Sequence, residues 1–123
     1  MKRWETWARL DIGDHGMGMQ RDDPQRVGFV ELTEALRWVP REGEDWTAPI
    51  TSLTVRTRRR RFAPPHNGVE IVVPERGIVR IRALAQRPGT AVPAQTAYQG
   101  QSGRSARLLK ELLRRGAAYD PRD

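Results

Sequence analysis

The chain has 123 residues, no cysteine, and 22 lysine and arginine residues against 15 acidic ones, for a formal net charge of +7. This length suits a single domain over residues 1–123 that buries a hydrophobic core without covalent or metal crosslinks. The lack of cysteine excludes disulfides, thiolate metal sites and cysteine nucleophiles. The sequence has neither a run of about 18 apolar residues nor a hydrophobic signal segment, so we expect no transmembrane segment and a cytoplasmic location.

Charge is distributed unevenly along the chain. Residues 1–52 contain 7 basic and 10 acidic residues, for a net charge of −3, whereas residues 53–123 contain 15 basic and 5 acidic residues, for +10. Twenty of the 22 basic residues are arginine, which suits recognition of phosphate and carboxylate groups, although GC-rich coding also raises arginine content. The asymmetry predicts either a basic face directed toward a polyanion or an acid–base contact between the two halves.

The first part of the chain has the patterns of short strands. Residues 4–12 alternate between apolar and polar, with Trp7 as the exception, and predict a first strand. After a loop rich in glycine, residues 27–33 and 36–39 alternate again and predict two more strands. A helix over 30–38 is the alternative, because glutamate, alanine and leucine favour helices.

The middle of the chain predicts a further strand and a hairpin. Residues 50–57 are rich in β-branched side chains, which predicts a strand. Residues 69–74 and 78–84 are two apolar runs joined by a short loop with Gly77, the clearest hairpin in the sequence. In its second arm the alternation directs Arg80 and Arg82 away from the core.

The last part of the chain changes its periodicity. Residues 85–103 contain two prolines, three glycines and few apolar residues, which predicts a long loop. Over residues 104–116 a stripe recurs at helical spacing, formed by Leu109, Leu112, Leu113 and Gly116 and widened by Leu108, and Gly116 suits a left-handed helix exit. Together the elements predict a mainly β fold: a small antiparallel β-sandwich or open barrel capped by one C-terminal amphipathic helix.

Several segments resemble one known family. The run 28–40, GFVELTEALRWVP, is similar to the opening hairpin of GRAM and bacterial pleckstrin-homology (PH)-like domains. Residues 50–55, 67–71 and 79–83 look like its following strands, and the helix at 104–116 takes the place of its capping helix. The resemblance covers about 27–116 and implies a small β-barrel-like binding module without catalytic activity. It also implies anionic lipids, phosphoinositides or proteins as partners.

One departure from that family concerns the lipid site. Many lipid-binding members carry basic residues in the loop between their first two strands. In this chain residues 13–26 contain three aspartates and only two arginines. No headgroup site is therefore carried over from the resemblance.

The strongest single motif is an arginine run that ends the strand predicted at 50–57. Five arginines in six positions cannot share one face of a strand, so we expect them to project into solvent and bind an anion. Phe62 follows directly and is suited to stacking on a base or inserting between lipid headgroups. The alternative is a solvated basic loop neutralised by the acidic first half of the chain. The candidate site consists of Arg56, Arg58, Arg59, Arg60, Arg61 and Phe62, extended by Arg80 and Arg82.

Enzyme motifs are absent from the sequence. The two histidines, His15 and His66, lie in glycine- or proline-rich segments without a nucleophile elbow, and the chain has no P-loop or dinucleotide fingerprint. His15, Met17 and Met19 form a weak candidate for copper(I). We therefore expect no enzyme activity, no catalytic residues, no metal site and no cofactor.

Three functions remain open from the sequence. The first is a non-enzymatic binding module with an arginine-rich anion-recognition edge. The second is a nucleic-acid-binding accessory protein that uses the same basic patch. The third is a small protein–protein adaptor or inhibitor, of mobile-element origin, whose basic edge contacts an acidic protein surface.

Overall fold

The computed structural model describes residues 2–12, 26–58, 68–85, 87 and 94–122, and within these ranges the fold is mainly β with a single α-helix. The strands are β1 (Trp4–Ile12), β2 (Val27–Leu32), β3 (Ala35–Pro40), β4 (Trp46–Pro49), β5 (Thr54–Arg58), β6 (Val69–Val73), β7 (Gly77–Leu84) and β8 (Ala118–Arg122); the helix is α1 (Ala94–Arg114), and a 3₁₀ turn spans Ile50–Ser52. The strands form one sheet in the order β4-β3-β2-β1-β7-β6-β5-β8.

The sheet is rolled, as the short link between β4 and β5 requires. Six inter-strand spacings separate these two strands in the sheet, which would place them about 29 Å apart if the sheet were flat. The chain between Pro49 and Thr54 reaches at most about 18 Å. The sheet must therefore curl around its core. Among the described residues, β4 and β8 pair with only one neighbour each, so the sheet is not closed.

One face of the sheet, here called the inner face, carries the core. In β1 the side chains of Thr6, Ala8 and Leu10 are buried, in strict alternation. Their neighbours across β7 are Ala83 and Ile81, which are also buried. The same alternation continues through β2, β3, β5 and β6, and Leu108 and Leu112 of α1 complete this core. The opposite face of the sheet is called the outer face below.

Several sequence predictions of strands are confirmed. The first strand spans Trp4–Ile12, as predicted, and β2 and β3 replace the alternative helix over 30–38. The hairpin predicted from 69–74 and 78–84 is formed by β6 and β7. The strand predicted at 50–57 is shorter, because Ile50–Ser52 form the 3₁₀ turn that carries the chain from β4 into β5.

The helix is longer than predicted. Residues 85–103 were expected to be a loop, but α1 begins at Ala94. Gly100 and Gly103 each lower helix stability by only about 1 kcal/mol relative to alanine. Extending an existing helix is also easier than nucleating a new one. The buried side chains of its described part also differ in phase from the predicted stripe. Ser105, Leu108 and Leu112 are fully buried, whereas Leu109 and Leu113 are only partly so.

The chain continues into a strand beyond the helix. Gly116 has φ of +109°, the left-handed conformation predicted for it. The N–H of Gly116 donates to Leu113 O (3.2 Å) and that of Ala117 to Leu112 O (3.1 Å), the pattern of a Schellman cap. The cap directs the chain into β8, which pairs with β5 in parallel. The sheet is therefore mixed, and the expectation of a purely antiparallel sheet that ends in a helix was wrong.

Candidate anion-binding face

Charged side chains form a row across the outer face of five neighbouring strands. The strand register places Arg56 of β5 opposite Glu70 of β6, Glu70 opposite Arg80 of β7, and Arg80 opposite Asp11 of β1. On the far side of β5, Asp120 of β8 stands opposite Arg56. These five residues, here called the charged row, alternate in sign from one strand to the next. Opposite charges on adjacent strands stabilise such pairs modestly.

A second row lies two residues further along the strands and contains arginines instead of alternating charges. Arg9 of β1 stands opposite Arg82 of β7, and Arg58 of β5 stands opposite Arg122 of β8. The arginine row thus places arginines at neighbouring register positions, and the described side chain of Arg9 is largely buried, with its Nε atom 3.5 Å from Oδ1 of Asp11.

A third row, on the other side of the arginine row, is aromatic. Trp7 of β1 stands between Phe29 of β2 and Leu84 of β7, and Val39 of β3 follows Phe29. The rings of Trp7 and Phe29 meet edge to face, with centroids 5.0 Å apart and an interplanar angle of 75°. The guanidinium carbon of Arg87 lies 5.5 Å from the centroid of the Trp7 ring. Aromatic surface thus adjoins the arginine row.

Carboxylates of this face contact some of its arginines. The Nε atom of Arg56 lies 3.5 Å from Oε2 of Glu70. Oδ1 of Asp11, which is only 3% exposed, lies 3.5 Å from Nε of Arg9 and 3.4 Å from Nη1 of Arg26. Asp11 thus joins Arg9 of β1 to Arg26, which precedes β2.

The charged row and the arginine row are positive in balance, because five arginines with described side chains, Arg9, Arg26, Arg56, Arg80 and Arg82, face three carboxylates, Asp11, Glu70 and Asp120. Further along the outer face, Glu5 of β1 and Glu31 of β2 stand beside Arg37 of β3, so the excess is confined to these two rows. Since guanidinium groups bind phosphate and carboxylate oxygens through two parallel hydrogen bonds, the excess suits an anionic ligand.

The structure brings some of the predicted site residues together. Arg56, Arg80 and Arg82 share the outer face, and the alternation in the second arm of the hairpin predicted this direction for Arg80 and Arg82. Arg58 is the last residue of β5, although its side chain is not among those described. The remaining predicted residues, Arg59, Arg60, Arg61 and Phe62, lie outside the described residues, as do His15, Met17 and Met19.

Sequence reasoning missed Arg9, Arg26 and Asp11 as parts of this face. The alternation in residues 4–12 placed Arg9 and Asp11 opposite the apolar side chains, which was a usable signal. Nothing local, however, indicates that β1 pairs with β7, and this pairing is what sets Arg9 beside Arg82. Glu70 was visible as an outward residue of the hairpin, but its place between Arg56 and Arg80 depends on the register of three strands.

A second basic cluster lines a cleft of about 230 Å³ between the first residues and the end of α1. Its centre is Glu111, a helix carboxylate that is only 3% exposed. Arg107 and Arg114 donate to its Oε2 atom (both 3.1 Å), and Arg115 donates to Oε1 from Nε (3.3 Å) and Nη2 (3.2 Å). Arg115 also donates to the carbonyl oxygen of Thr33 (2.9 Å).

This second cluster is a structural crosslink. Burial by itself raises the pKa of Glu111, but the hydrogen bond from Arg115 and the charges of Arg114 and Arg107 outweigh it and hold the pKa below the usual 4.5. The ionised Glu111 and Arg115 join α1 to the end of β2. The guanidinium of Arg115 already donates hydrogen bonds to Glu111 and to the backbone of Thr33. The outer face is therefore a stronger candidate for an anion-binding site than this cleft.

Comparison with known proteins returns no match to any protein-family model, curated protein or solved structure. The resemblance to PH-like and GRAM domains therefore stays a prediction. No helix in the described part of the chain combines the length and the apolar character that crossing a bilayer requires. The same residues contain no cluster of three or more histidine, aspartate or glutamate side chains placed to hold a metal ion.

Proposed function

We propose that this chain is a non-enzymatic binding module that recognises an anionic macromolecule through the outer face of its sheet. The observation that carries the proposal is the concentration of arginines on neighbouring strands: Arg56 of β5 and Arg80 and Arg82 of β7 share the outer face. Each arginine near an anionic surface contributes about 1 kcal/mol.

The arginine run extends this proposal. Residues 58–61 are four consecutive arginines, and the first of them ends β5 in the same row as Arg122. We infer that this run supplies further contacts to the same partner. Replacing Arg58 and Arg60 by alanine then weakens binding by the loss of two salt-dependent contacts.

We also infer that the fold is PH-like. Two antiparallel meanders, β1–β4 and β5–β7, joined through β1 and β7 and packed against a helix near the C-terminal end, support this inference. A PH-like fold is compatible with an anion-binding module, but the proposed function rests on the arginines and not on the fold.

Retention on immobilised heparin, a generic polyanion, tests the proposed function. The double variant Arg80→Gln/Arg82→Gln removes two positive charges from the outer face and should elute at clearly lower salt than the wild type. The matched control Arg104→Gln/Lys110→Gln removes two exposed charges from α1 and should elute between the two. Equal elution of the two double variants would show that overall charge, and not this face, determines binding.

A further inference from the structure

The cleft between the first residues and the end of α1 has more positive charge than its buried carboxylate, Glu111, compensates. Its lining contains five cationic side chains and one carboxylate. Two further carboxylates stand beside it, since Oε2 of Glu5 and Oε2 of Glu31 lie 3.4 and 3.6 Å from nitrogens of Arg3. When all three carboxylates are counted, the cleft keeps an excess of two positive charges. This local charge suits a ligand with two negative charges.

Arg115 is sufficient by itself to neutralise Glu111. Its Nε and Nη2 atoms donate to Oε1 of Glu111, and its Nη1 atom donates to the carbonyl oxygen of Thr33. The Arg115 side chain is only 4% exposed, so this pair lies inside the protein. Arg107 and Arg114 are therefore not required to balance the buried charge. Ion pairs as exposed as theirs also contribute little to stability.

The guanidinium groups of Arg107 and Arg114 are accessible to a ligand. Their side chains are 53% and 65% exposed. Each uses a single nitrogen, Nε of Arg107 and Nη1 of Arg114, for its hydrogen bond to Glu111. Among the residues that the structure describes, the other two nitrogens of each group donate to no protein oxygen. An incoming anion can therefore bind both arginines without breaking a contact of the fold.

Glu111 also holds these two guanidinium groups close together. Nε of Arg107 and Nη1 of Arg114 each lie 3.1 Å from the same carboxylate oxygen, Oε2. These two nitrogens are therefore no more than about 6 Å apart, a gap that one group with several acceptor oxygens can bridge. Side chains that are already held in place lose less rotamer entropy when a ligand binds. Glu111 thus acts as a positioning residue for the two arginines.

We infer that this cleft binds a phosphate dianion, either free inorganic phosphate or the phosphate group of a small phosphomonoester. Arg107 and Arg114 donate to its oxygens, and the exposed Lys2 and Arg3 add positive charge from the N-terminal residues. A phosphate group has at least three strong acceptor oxygens and nearly two negative charges at neutral pH. The site is separate from the outer face of the sheet and goes beyond the proposed function.

The size of the cleft is compatible with both sources of the phosphate group. Its volume of about 230 Å³ equals the space of about eight water molecules, and a phosphate ion fills only part of it. Trp4 also lines the cleft and is partly exposed, so an apolar group attached to the phosphate would contact a ring. A carboxylate ligand fits less well, because its single charge leaves half of the excess positive charge uncompensated.

The first experiment measures binding of inorganic phosphate to the wild-type protein by isothermal titration calorimetry at constant ionic strength. At about pH 7.5, where phosphate is mainly doubly charged, we expect a dissociation constant of about 1 mM or lower. Acetate, with one charge fewer, should bind at least about tenfold more weakly. Equal binding of the two anions, or a phosphate dissociation constant above about 10 mM, overturns the inference. Heparin retention, which tests the proposed function, is independent of this result.

Phenyl phosphate distinguishes the two sources of the phosphate group. If it binds more tightly than inorganic phosphate, the natural ligand is a monoester whose organic group lies beside Trp4. If it binds equally or less tightly, the ligand is free phosphate. Both results support the site only when the arginine variants described next weaken binding.

The second experiment compares two double variants with the same net charge. Arg107→Gln/Arg114→Gln removes the charge-assisted hydrogen bonds to phosphate and should weaken its binding at least about tenfold. The matched control Arg104→Gln/Lys110→Gln removes two exposed charges of α1 from positions outside the lining of the cleft. It should weaken phosphate binding less than about twofold because of screening. Equal losses in the two variants contradict the inference.

A further variant keeps the test decisive if Arg107→Gln/Arg114→Gln does not fold. Lys2→Gln/Arg3→Gln changes two exposed residues, so stability should be unaffected, and phosphate binding should weaken about fivefold, the upper value for an exposed ion pair. Unchanged binding in this variant overturns the placement of phosphate in the cleft. A loss of phosphate binding confined to Arg80→Gln/Arg82→Gln would place the phosphate on the outer face and overturn this inference while supporting the proposed function.

Discussion

The backbone N–H of Ala83 donates a hydrogen bond to Oγ of Ser105 at 3.2 Å, and both residues are fully buried. Among the described residues, the pairing of β6 with β7 begins at Val69 and Ile81, and the acceptor for the amide of Ala83 is the helix hydroxyl. This bond fixes the rotation of α1 on the sheet and accounts for a serine at this buried position of the helix.

Removal of this hydroxyl should destabilise the fold. In Ser105→Ala the buried amide of Ala83 loses its acceptor, and an unsatisfied buried donor costs about 1–3 kcal/mol. We expect the free energy of unfolding from urea titration to fall by that amount. Ser52→Ala is the control, because the Ser52 hydroxyl also forms a hydrogen bond with the backbone, donating to the carbonyl oxygen of Pro49 (2.6 Å), but is exposed to water. Equal costs for the two variants would show that burial of the Ala83 amide is unimportant.

Glu111 should make stability depend on pH in acid. Its folded-state pKa lies below the usual 4.5 because of Arg115, Arg114 and Arg107. The unfolded chain therefore binds a proton at Glu111 before the folded protein does. The stabilisation is complete above about pH 4.5 and is lost as the pH falls through the lowered folded-state pKa.

The variant Glu111→Gln tests this pH dependence. It should lower the free energy of unfolding at pH 7, because the buried Arg115 loses its carboxylate partner. The difference from the wild type should shrink as the pH is lowered below the ordinary glutamate range. Asp45→Asn is the control, since Asp45 also has a lowered pKa through its bond with Arg37, but both side chains are half exposed and the pair contributes little. A pH-independent difference for Glu111→Gln would contradict the assignment.

The sequence predicts those parts of this fold that depend on local patterns. The alternation in residues 4–12 and the hairpin of β6 and β7 are correct because neighbouring residues alone determine them. The strand β8 was not predicted, because the sequence around Tyr119 and Asp120 shows no alternation of apolar and polar residues. The strand forms where the cap at Gly116 directs the chain along β5. Parallel pairing at the end of a sheet leaves no local signal.

The same distinction between local patterns and long-range strand pairing applies to the candidate face. The outward direction of Arg80 and Arg82 followed from alternation within one strand. The alignment of Arg82 with Arg9, and of Arg80 with both Asp11 and Glu70, depends on the pairing of distant strands. Sequence patterns therefore predicted that arginines face outward, whereas the rows they form required the register of the sheet.

Gly28 should be sensitive to the smallest substitution. A Cβ atom at this position of β2 would lie about 2.2 Å from the carbonyl oxygen of Val39 and 2.7 Å from Cα of Pro40. Both are backbone atoms of β3 and cannot move aside without breaking the pairing of the two strands. We expect Gly28→Ala to lower the free energy of unfolding by about 2–3 kcal/mol, as overpacked cores do.

A glycine without such neighbours provides the matched comparison. At Gly103 in α1 nothing lies within 4 Å of an added Cβ atom. Gly103→Ala should therefore raise the free energy of unfolding by up to about 1 kcal/mol, the difference in helix propensity. Urea titrations of the two variants should thus move in opposite directions. A neutral Gly28→Ala would mean that β2 and β3 are not in the contact described here.

Glu70 should restrain the binding capacity of the outer face. It stands between Arg56 and Arg80 in the charged row, and its Oε2 atom lies 3.5 Å from Nε of Arg56. Glu70→Gln removes the negative charge that competes with an anionic ligand for these two arginines. We expect elution from heparin at higher salt than the wild type, together with a small loss of stability because Arg56 loses its ionic partner.

The control for this prediction is Glu75→Gln in the exposed turn between β6 and β7. It changes the net charge by the same amount at a position outside the three rows. Since long-range charge effects are screened within about 8–10 Å at moderate salt, Glu75→Gln should shift elution much less than Glu70→Gln. Equal shifts would mean that heparin responds to net charge alone. A shift confined to Glu70→Gln would show that the carboxylate and the anionic ligand compete for the same guanidinium groups.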